Sequence, residues 1–409
     1  MALVVQKYGG SSVATADKIR NVAARVSQRK DDGNDVVVVV SAMGKTTDEL
    51  IALARKMTDQ PDEREMDVLL STGETVSSTL MAMALRASGH PAVSLSGMQA
   101  GIQTDATHSK ARITRVQPSR IREELSRGNI VIVAGFQGFS PTMDTTTLGR
   151  GGSDTTAVAL AIGLGADVCE IYTDVEGVLT ADPRIVPNAI KLKTIGYEEM
   201  LELASYGAKV MAPRAVELGQ VYGMPILVAS SSSDAPGTLI CTEEVSMELR
   251  SKVSGIAHDT NVAKITIVGV PDHPGIAKDI FEPLARANVS VDTIVQNVGQ
   301  GEVTDVTFTV SRTDLIKALS LVEPVAKQMG AQKVSSDETL AKVSIVGTGM
   351  QNAPGYAAKM FRALSEANIN IQLISTSEIR ITCIIAEGGV SDAVRSLHKE
   401  FEVEFVQPS

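Results

Sequence analysis

Two glycine-rich segments carry charged side chains at spacings suited to binding a phosphate or a carboxylate. The first, Lys7-Tyr8-Gly9-Gly10-Ser11-Ser12, follows a short apolar run at residues 3–6. Glycines at such a turn let backbone N–H groups approach a phosphate, and Lys7 adds a positive charge. On motif grounds alone, a tight turn with Lys7 in solvent explains this segment equally well.

The second segment, at residues 149–156, precedes an apolar helical pattern at 157–163. We expect Ser153 or Asp154 to cap that helix, so that N–H groups and the helix dipole face an incoming anion. The alternative is a capped helix with a flexible lead-in. Arg150, placed between two glycines, favours a binding site because its guanidinium can clamp a carboxylate.

Three further polar residues lie near predicted strand or helix ends. Ser41 and Thr47 follow the apolar run at 36–40. Glu74 is expected at the start of a helix, where it either faces the helix dipole or pairs with a substrate ammonium group. The Gly44-Lys45-Thr46 triplet is not a Walker A loop, since Val39 stands where that motif needs glycine.

The elements that must position these residues form an alternating pattern. Apolar runs at 3–6, 36–40, 92–95, 130–134, 169–173 and 226–229 read as strands, most of them separated by helical patterns such as 16–29. The β-branched run at 36–40 is typical of a strand buried on both faces. We therefore predict an α/β fold, a three-layer αβα sandwich with ligands beyond the carboxyl ends of its parallel strands.

The last third of the chain contains an internal repeat. Residues 263–269 recur closely at 341–347, and Pro-Gly pairs follow at 274–275 and 354–355. Each copy has the β-α-β-β-α-β pattern of a ferredoxin-like α+β domain. We expect an α/β domain at 1–245, a connector at 246–262, a first repeat at 263–335 and a second repeat at 336–409. The strand around 253–258 is an alternative member of the second repeat.

Composition excludes several classes of protein. The net charge of -10, without a Lys/Arg-rich run, argues against nucleic-acid binding. The apolar runs at 36–40 and 157–164 are too short to span a membrane. Three scattered cysteines and five histidines show neither disulfide nor metal spacing, so we assign the protein no metal site. We expect a cytoplasmic protein.

Four segments together resemble the aspartate kinases, which belong to the wider amino-acid kinase family. They are Lys7-Tyr8-Gly9-Gly10-Ser11-Ser12, residues 148–154, Tyr172-Thr173-Asp174 and residues 180–184. The resemblance covers nearly the whole chain, and the two repeats look like ACT domains. It implies ATP-dependent phosphorylation of the β-carboxylate of L-aspartate, with Mg²⁺ accompanying ATP and no tightly bound cofactor.

The resemblance also implies roles for individual residues. Lys7 and Lys209 would neutralise the transferring phosphoryl group, with Asp154 organising them. The implied substrate ligands are Arg150 for the α-carboxylate, Glu74 for the ammonium group, and Ser41, Thr47 and Ser153 for the reacting carboxylate. The implied nucleotide-binding residues are Lys7, Gly9, Gly10, Ser11, Thr173, Asp174, Leu179, Asp182, Pro183, Arg184 and Lys209. The family often has tyrosine at the position of Leu179, where this chain lacks an aromatic ring.

The sequence shows no motif for a general base, and the reaction implied by the resemblance does not need one. The aspartate side chain has a pKa of about 4, so it is ionised at neutral pH and needs no general base. The obstacle is repulsion between this carboxylate and anionic ATP, and fixed cations remove it.

By the same resemblance, the repeats would sense lysine, threonine or both and inhibit the first step towards lysine, threonine and methionine. The implied effector residues of the first repeat are Asp272, Pro274, Gly275, Ile276, Ala277, Gln296 and Asn297. In the second repeat, Asn368, Ile369, Asn370, Ile371, Ser377 and Glu378 are expected at matching places. The alternative is a pair of units that serve only dimerisation. The expected assembly is a homo-oligomer, or an α2β2 form with a small subunit started at Met247.

Two other functions remain as alternatives. The first is another amino-acid kinase, acting on glutamate, acetylglutamate or a nucleotide, which the tandem repeats disfavour. The second is a non-catalytic amino-acid sensor on the same fold. A transcription regulator is disfavoured, because no helix-turn-helix pattern or basic patch is present.

Overall fold

The structure, a computed structural model, describes residues 2–208, 210–242, 253–297, 303–350, 353–402 and 405. The chain forms two compact units, each made of several segments. The first unit comprises Met1–Leu179, Ile190–Ser205 and Lys209–Val245, and the second comprises Thr180–Ala189, Tyr206–Ala208 and Ser246–Ser409.

An eight-stranded sheet forms the centre of the first unit. Its strands are β1 (Leu3–Tyr8), β2 (Asp35–Val40), β3 (Ala92–Leu95), β6 (Ile130–Ala134), β9 (Val168–Thr173), β10 (Thr194–Gly196), β11 (Ile226–Ser230) and β12 (Thr238–Cys241). Their spatial order is β10-β12-β11-β9-β1-β2-β6-β3. All neighbouring strands are parallel except β11 and β12. The predicted mainly parallel sheet is confirmed.

The described part of the first unit contains seven helices. They are α1 (Ala16–Asp31), α2 (Thr46–Met57), α3 (Glu63–Ala87), α4 (Ser119–Ser126), α5 (Gly152–Leu164), α6 (Tyr197–Ser205) and α7 (Pro213–Tyr222). Five of them pack directly on strands, while α2 packs on α3 and α7 packs on α5 and α6. Residues of α1 and α3 share a core cluster with Val36, Val38 and Val40 of β2. Helix α5 lies outside that cluster and packs on β1, β2 and β9. Every valine of β2 is fully buried, as its β-branched run predicted.

Helix α3 is long and apolar enough to cross a membrane by length and composition alone. Its buried face, however, includes the polar residues Asp67, Glu74, Ser77 and Ser78 beside Met81, Ala82 and Leu85. The helix also packs against β2, β3 and β6. These contacts are those of a core helix.

A small four-stranded sheet lies beside the large one within the first unit. It consists of β4 (Ile102–Thr104), β5 (Ile113–Val116), β7 (Gln137–Phe139) and β8 (Thr145–Thr147), in the order β5-β4-β7-β8.

The second unit contains one six-stranded sheet to which both repeats contribute. Its strands are β13 (Gly255–Pro271), β14 (Val291–Gln296), β15 (Val303–Val310), β16 (Lys333–Val346), β17 (Ile371–Thr376) and β18 (Arg380–Ala386). They lie in the order β14-β15-β13-β16-β18-β17. The helices are α8 (Ile276–Arg286), α9 (Leu315–Gln328), α10 (Tyr356–Glu366) and α11 (Val390–Glu400).

Strands β13 and β16 are each shared by the two repeats. Residues 264–268 pair with 333–337 inside the first repeat, whereas 255–259 pair with 342–346 of the second. Residues 255–262, which we expected in a connector, therefore belong to a strand. The predicted β-α-β-β-α-β order holds for the first repeat. In the second repeat, the fourth strand position is instead filled by residues that precede the first repeat in sequence. The alternative prediction, that the strand around 253–258 belongs to the second repeat, is confirmed for residues 255–258.

Candidate active site

The carboxyl ends of five neighbouring strands meet at one edge of the large sheet. Tyr8 of β1 pairs with Val40 of β2 and with Tyr172 of β9. Ala134 pairs with Val40, and Ser230 pairs with Thr173, at the same level. The turns that follow these strands therefore lie side by side. Of the predicted site residues, this edge carries Lys7, Gly9, Gly10, Ser11, Ser41, Thr173 and Asp174, as expected for a parallel sheet.

Lys7 and Asp154 form an ion pair at this edge. The Nζ atom of Lys7 lies 2.7 Å from Oδ1 of Asp154, and both side chains are about nine-tenths buried. The other carboxylate oxygen, Oδ2, accepts a hydrogen bond of 3.1 Å from the backbone N–H of Ala212. Asp154 is thus held from two sides, and it fixes the position of the Lys7 ammonium group.

The first glycine turn packs tightly against the turn after β2. A Cβ atom on Gly10 would lie only 2.7 Å from the backbone oxygen of Ala42, and Gly44 N–H donates to Gly10 O over 3.0 Å. A side chain at Gly10 would push these turns apart. Ser11, at the same turn, is exposed, whereas Ser12 is buried and donates to the Ser231 hydroxyl over 2.8 Å.

The second glycine turn differs from the prediction in where the helix begins. Helix α5 starts at Gly152, and Gly151, with φ of 72°, occupies the cap position. Ser153 and Asp154 therefore lie in the first turn of α5 rather than at its cap, because a left-handed glycine already ends the preceding loop. The negative charge of Asp154 still complements the helix dipole. Ser153 is buried close to Gly135, at the end of β6.

Arg150 and Thr47 are less buried than Ser153 and Asp154. Arg150 is exposed and stands between Gly149 and Gly151, both at positive φ. Thr47 is half-buried in the first turn of α2. Ser41 N–H donates to Tyr8 O over 3.1 Å, which fixes the backbone where β2 ends.

Glu74 lies in the middle of α3, so its predicted place at a helix start is wrong. The helix begins eleven residues earlier, where the Asp62 side chain accepts hydrogen bonds from Arg64 N–H and Glu65 N–H. Glu74 is 3 % exposed, and its Oε1 accepts from Ala42 N–H over 3.0 Å. Its Oε2 is buried without a hydrogen-bond partner among the described residues.

Burial raises the pKa of the Glu74 carboxyl to about 7, although the hydrogen bond from Ala42 N–H opposes this shift. A carboxylate with one unpaired oxygen beside the binding edge is suited to an incoming cation. A substrate ammonium group would supply the missing hydrogen bond and stabilise the charged form.

Asp67 is a buried residue of this region that sequence reasoning missed. Its carboxylate contacts the His108 ring and accepts hydrogen bonds from Ser109 N–H and the Thr147 hydroxyl. These contacts tie α3 to the chain that leads into the second glycine turn. Asp67 and Glu74 are seven residues apart on α3, a spacing that puts both on one helix face and could have indicated the pair.

The implied nucleotide residues fall into both units. In the first unit, the Thr173 hydroxyl donates to Asp174 over 3.1 Å, and half-buried Leu179 forms a β-bridge with Lys191. Asp182, Pro183 and Arg184 belong to the second unit. There, hydrogen bonds from the Arg184 side chain lower the pKa of Asp182. Lys209 lies outside the described residues, so its predicted contacts stay a prediction.

The implied effector residues lie in turns of the second unit and at the adjoining ends of its helices and strands; most are exposed, whereas Ile276 is buried. In the first repeat, Asp272, Pro274, Gly275, Ile276 and Ala277 lead from β13 into α8, and Gln296 and Asn297 end β14. In the second repeat, Ile369 and Asn370 lead from α10 into Ile371 of β17, while Ser377 and Glu378 follow β17.

One expected correspondence between the repeats is wrong. Asn368 follows α10 with φ of 56°, and it matches Asn288 after α8, with φ of 54°. The turn before α8 is instead matched by the turn around Gly355, which precedes α10 with a similar left-handed backbone. The residues at 368–371 and at 272–277 therefore lie at opposite ends of corresponding helices.

Among the residues that the structure describes, no group of three His, Cys, Asp or Glu side chains could hold a metal ion.

Known protein families match both units. The model of the amino acid kinase family matches residues 2–230, and an ACT domain model matches residues 265–324 and 343–401. With the parallel sheet, its glycine turns and the paired repeats, these matches define the class: an amino acid kinase that carries ACT domains.

Individual relatives narrow this class. The aspartokinase of Mycolicibacterium smegmatis is 52% identical over 406 residues, which cover 98% of this chain and 96% of that protein. The chain also resembles E. coli aspartokinase III in complex with aspartate and ADP in the R-state, with TM-score 0.82, 26% identity and coverage of 97% and 99%. For the T-state complex of that enzyme with lysine and aspartate, the TM-score is 0.74 at 27% identity, with coverage of 98% and 99%. The chain belongs to the aspartate kinase family and is a kinase.

Proposed function

We propose that this enzyme transfers the γ-phosphoryl group of ATP to the β-carboxylate of L-aspartate and releases aspartyl phosphate and ADP. The observation that carries the proposal is the Lys7–Asp154 ion pair at the carboxyl edge of the parallel sheet. It holds an ammonium group beside two glycine turns, where backbone N–H groups and a helix N-terminus favour phosphate oxygens.

The chemistry needs little beyond position and charge. One oxygen of the ionised β-carboxylate attacks the γ-phosphorus, and the bond from that phosphorus to the bridging oxygen of ADP breaks. Lys7, oriented by Asp154, stabilises the negative charge on the phosphoryl oxygens during this transfer. We assign Lys209 the same task, and we assign Thr173 and Asp174 to the nucleotide.

Substrate selection rests on the second glycine turn and on α3. Arg150 binds the α-carboxylate of aspartate, and the buried carboxylate of Glu74 receives its ammonium group. Ser41, Thr47 and Ser153 orient the β-carboxylate. Mg²⁺ arrives with ATP as part of the substrate, and it neutralises charge between the β- and γ-phosphates.

The direct test is trapping of the acyl phosphate as a hydroxamate in the presence of Mg²⁺ and ATP, with ADP release measured in parallel. We expect hydroxamate from aspartate and none above background from glutamate or acetylglutamate, and no ADP release with a nucleoside monophosphate as the acceptor. Product from one of these instead of aspartate would assign the chain another substrate. Absence of ATP turnover with every acceptor would support the non-catalytic sensor.

We further propose that lysine, threonine or both bind the exposed turns of the paired repeats and inhibit the enzyme. The T-state complex of the E. coli relative with lysine supports this choice of ligand. Calorimetry with each amino acid, separately and together, tests it. Binding with inhibition is expected, and no binding in any combination would leave the repeats with a structural role only.

The organisation of the chain completes the proposal. The catalytic domain spans residues 1–245, and two ACT domains follow within 255–409, sharing the strand at 255–271. We propose a cytoplasmic enzyme that assembles as a homo-oligomer, or as an α2β2 complex if translation also starts at Met247. Mass spectrometry of the natively purified protein distinguishes these two assemblies.

A further inference from the structure

The loop after α6 belongs to a different unit from its chain neighbours. Tyr206–Ala208 is part of the second unit, whereas Ile190–Ser205 before it and Lys209–Val245 after it are part of the first. A three-residue segment at the centre of a catalytic-domain sequence is therefore held by the six-stranded sheet.

Tyr206 makes the contacts that hold this segment. Its hydroxyl donates a hydrogen bond of 2.9 Å to Oδ1 of Asp292, on β14. The guanidinium of Arg380, on β18, lies 3.8 Å from the centre of the Tyr206 ring, and the Lys342 ammonium, on β16, lies 5.8 Å from it. Lys342 also forms an ion pair with Asp292. A hydrogen bond to a carboxylate and a cation over an aromatic face are each stronger than ordinary polar contacts.

The cluster joins residues of both repeats. Asp292 belongs to the first repeat, while Lys342 and Arg380 belong to the second, and the two cations are less than 10 % exposed. Burial alone would raise the pKa of Asp292, but Lys342 and the hydrogen bonds outweigh it and lower that pKa. The acceptor of the Tyr206 hydroxyl is thus ionised. Any shift of one repeat against the other changes the surroundings of Tyr206.

Gly207 restricts the segment further. Its φ is 121°, and a Cβ atom there would lie 1.7 Å from the backbone oxygen of His258, on β13. The backbone of this segment therefore rests directly on the strand that both repeats share.

We propose that Tyr206 is a positioning residue for phosphoryl transfer. Its contacts hold residues 206–208, which lead into Lys209, against the six-stranded sheet. Ligand binding to the repeats then changes turnover by altering these contacts of Tyr206. The inference rests on the proposed role of Lys209 and adds a route, by chain continuity, from the repeats to that lysine.

The test is a double-mutant cycle of Tyr206→Phe and Asp292→Asn, measured as kcat by hydroxamate formation. Tyr206→Phe keeps the ring under Arg380 and removes only the hydroxyl. Each single variant is expected to lower kcat about fivefold or more, with KM for aspartate unchanged. The double variant should be no slower than the slower single variant, because both changes remove one hydrogen bond.

Tyr222→Phe is the matched control, since Tyr222 is an exposed tyrosine at the end of α7 in the first unit. It should keep wild-type kcat and Tm. Wild-type kcat in Tyr206→Phe would overturn the proposal, and so would multiplicative losses in the double variant. If Asp292→Asn does not fold, the comparison of Tyr206→Phe with Tyr222→Phe decides alone.

A second readout separates positioning from stability. In Tyr206→Phe, calorimetry should still detect lysine or threonine binding with wild-type affinity to within about threefold, while the degree of inhibition falls. A wild-type enzyme that does not phosphorylate aspartate would refute the proposed function. If the wild type is active and the Tyr206→Phe variant has the same kcat and the same degree of inhibition, only the present inference is refuted. If neither amino acid inhibits the wild type, the route from the repeats is refuted, and the kcat comparison still decides the positioning role.

Discussion

The two large sheets of this molecule place their charged groups in different ways. In the parallel sheet of the first unit, Lys7 and the turns around it lie at strand ends, where the register of neighbouring strands fixes the backbone. In the six-stranded sheet of the second unit, Asp292, Lys342 and Arg380 come from different strands and two repeats, and they meet at Tyr206.

This difference fits the two proposed tasks. Phosphoryl transfer requires charges that stay where the transition state needs them, and a single continuous sheet provides that. Regulation requires a set of contacts with two arrangements, and contacts between two repeats can change when one repeat moves. The following variants test whether the two sheets differ in this way, beginning with the largest expected effect.

Lys7→Ala should lower kcat about 10³-fold, because it removes the cation that we propose stabilises the transferring phosphoryl group. Hydroxamate formation at saturating ATP and aspartate measures this loss. Lys30→Ala is the matched control, since Lys30 forms a 3.0 Å ion pair with Asp35 at the opposite end of β2. Its kcat should equal that of the wild type, and near-normal turnover in Lys7→Ala would remove Lys7 from the mechanism.

Gly207→Ala should destabilise the second unit by about 3 kcal/mol, because the added Cβ would overlap His258 O and the backbone is left-handed. A decrease of roughly 6–12 °C in the Tm of the second unit, followed by circular dichroism, is the expected result. Gly33→Ala carries a similar backbone penalty, with φ of 87° and no atom within 4 Å of the new Cβ. A smaller decrease in Tm is expected for Gly33→Ala, and equal decreases in the two variants would contradict the close packing of Gly207.

Glu74→Gln should raise KM for aspartate about tenfold and remove its pH dependence. The pKa of Glu74 is about 7, so in the wild type KM should fall as pH rises through 7 and the carboxylate becomes available to the substrate ammonium. Initial rates between pH 6 and 8 measure both effects. Glu63→Gln, an exposed position at the start of the same helix, should change neither.

Stability gives an independent check on Glu74. Its folded-state pKa of about 7 exceeds the ordinary value of 4.5, so the folded protein keeps the proton longer than the unfolded chain does. Ionisation therefore costs stability progressively as pH rises from 4.5 to 7, and not below that range. The Tm of Glu74→Gln relative to the wild type should increase across this interval. A constant difference would mean that the carboxyl is not buried.

Leu179→Tyr should lower KM for ATP about threefold, the smallest effect in this series, by adding an aromatic ring at the position that we propose lies beside the nucleotide. Leu179→Ile, which adds no ring, should leave this KM unchanged. Equal KM values in all three proteins would show that the ring at this position makes no contact with ATP.

The sequence predicts well what local patterns determine. The strands at 92–95 and 130–134 are predicted with their observed bounds, because turn residues lie on both sides of each short run and leave few alternatives. Glu74 was misplaced because Ser71-Thr72-Gly73 resembles a helix start, whereas the true start is capped by Asp62. Once a helix is capped and buried, small polar residues in its middle do not end it.

Long-range pairing could not be predicted from local patterns. Tyr206 and Asp292 are 86 residues apart, and no local pattern in the sequence indicates that they meet. Residues 255–259 likewise pair with a strand that lies more than eighty residues away; the sequence suggests their membership of the second repeat only as an alternative, and the pairing register decides it. Such contacts follow from the order of the strands in the folded sheet, and a short stretch of sequence contains no information about that order.

The shared strand β13 makes the two repeats interdependent for folding. A fragment that begins at residue 263 would leave the second repeat with an open sheet edge, because residues 255–259 would be missing. A polypeptide begun at Met247 would retain those residues and could complete the six-stranded sheet. The shared strand therefore limits where an alternative start codon can lie. A separate regulatory chain must include the segment before its first repeat in order to fold.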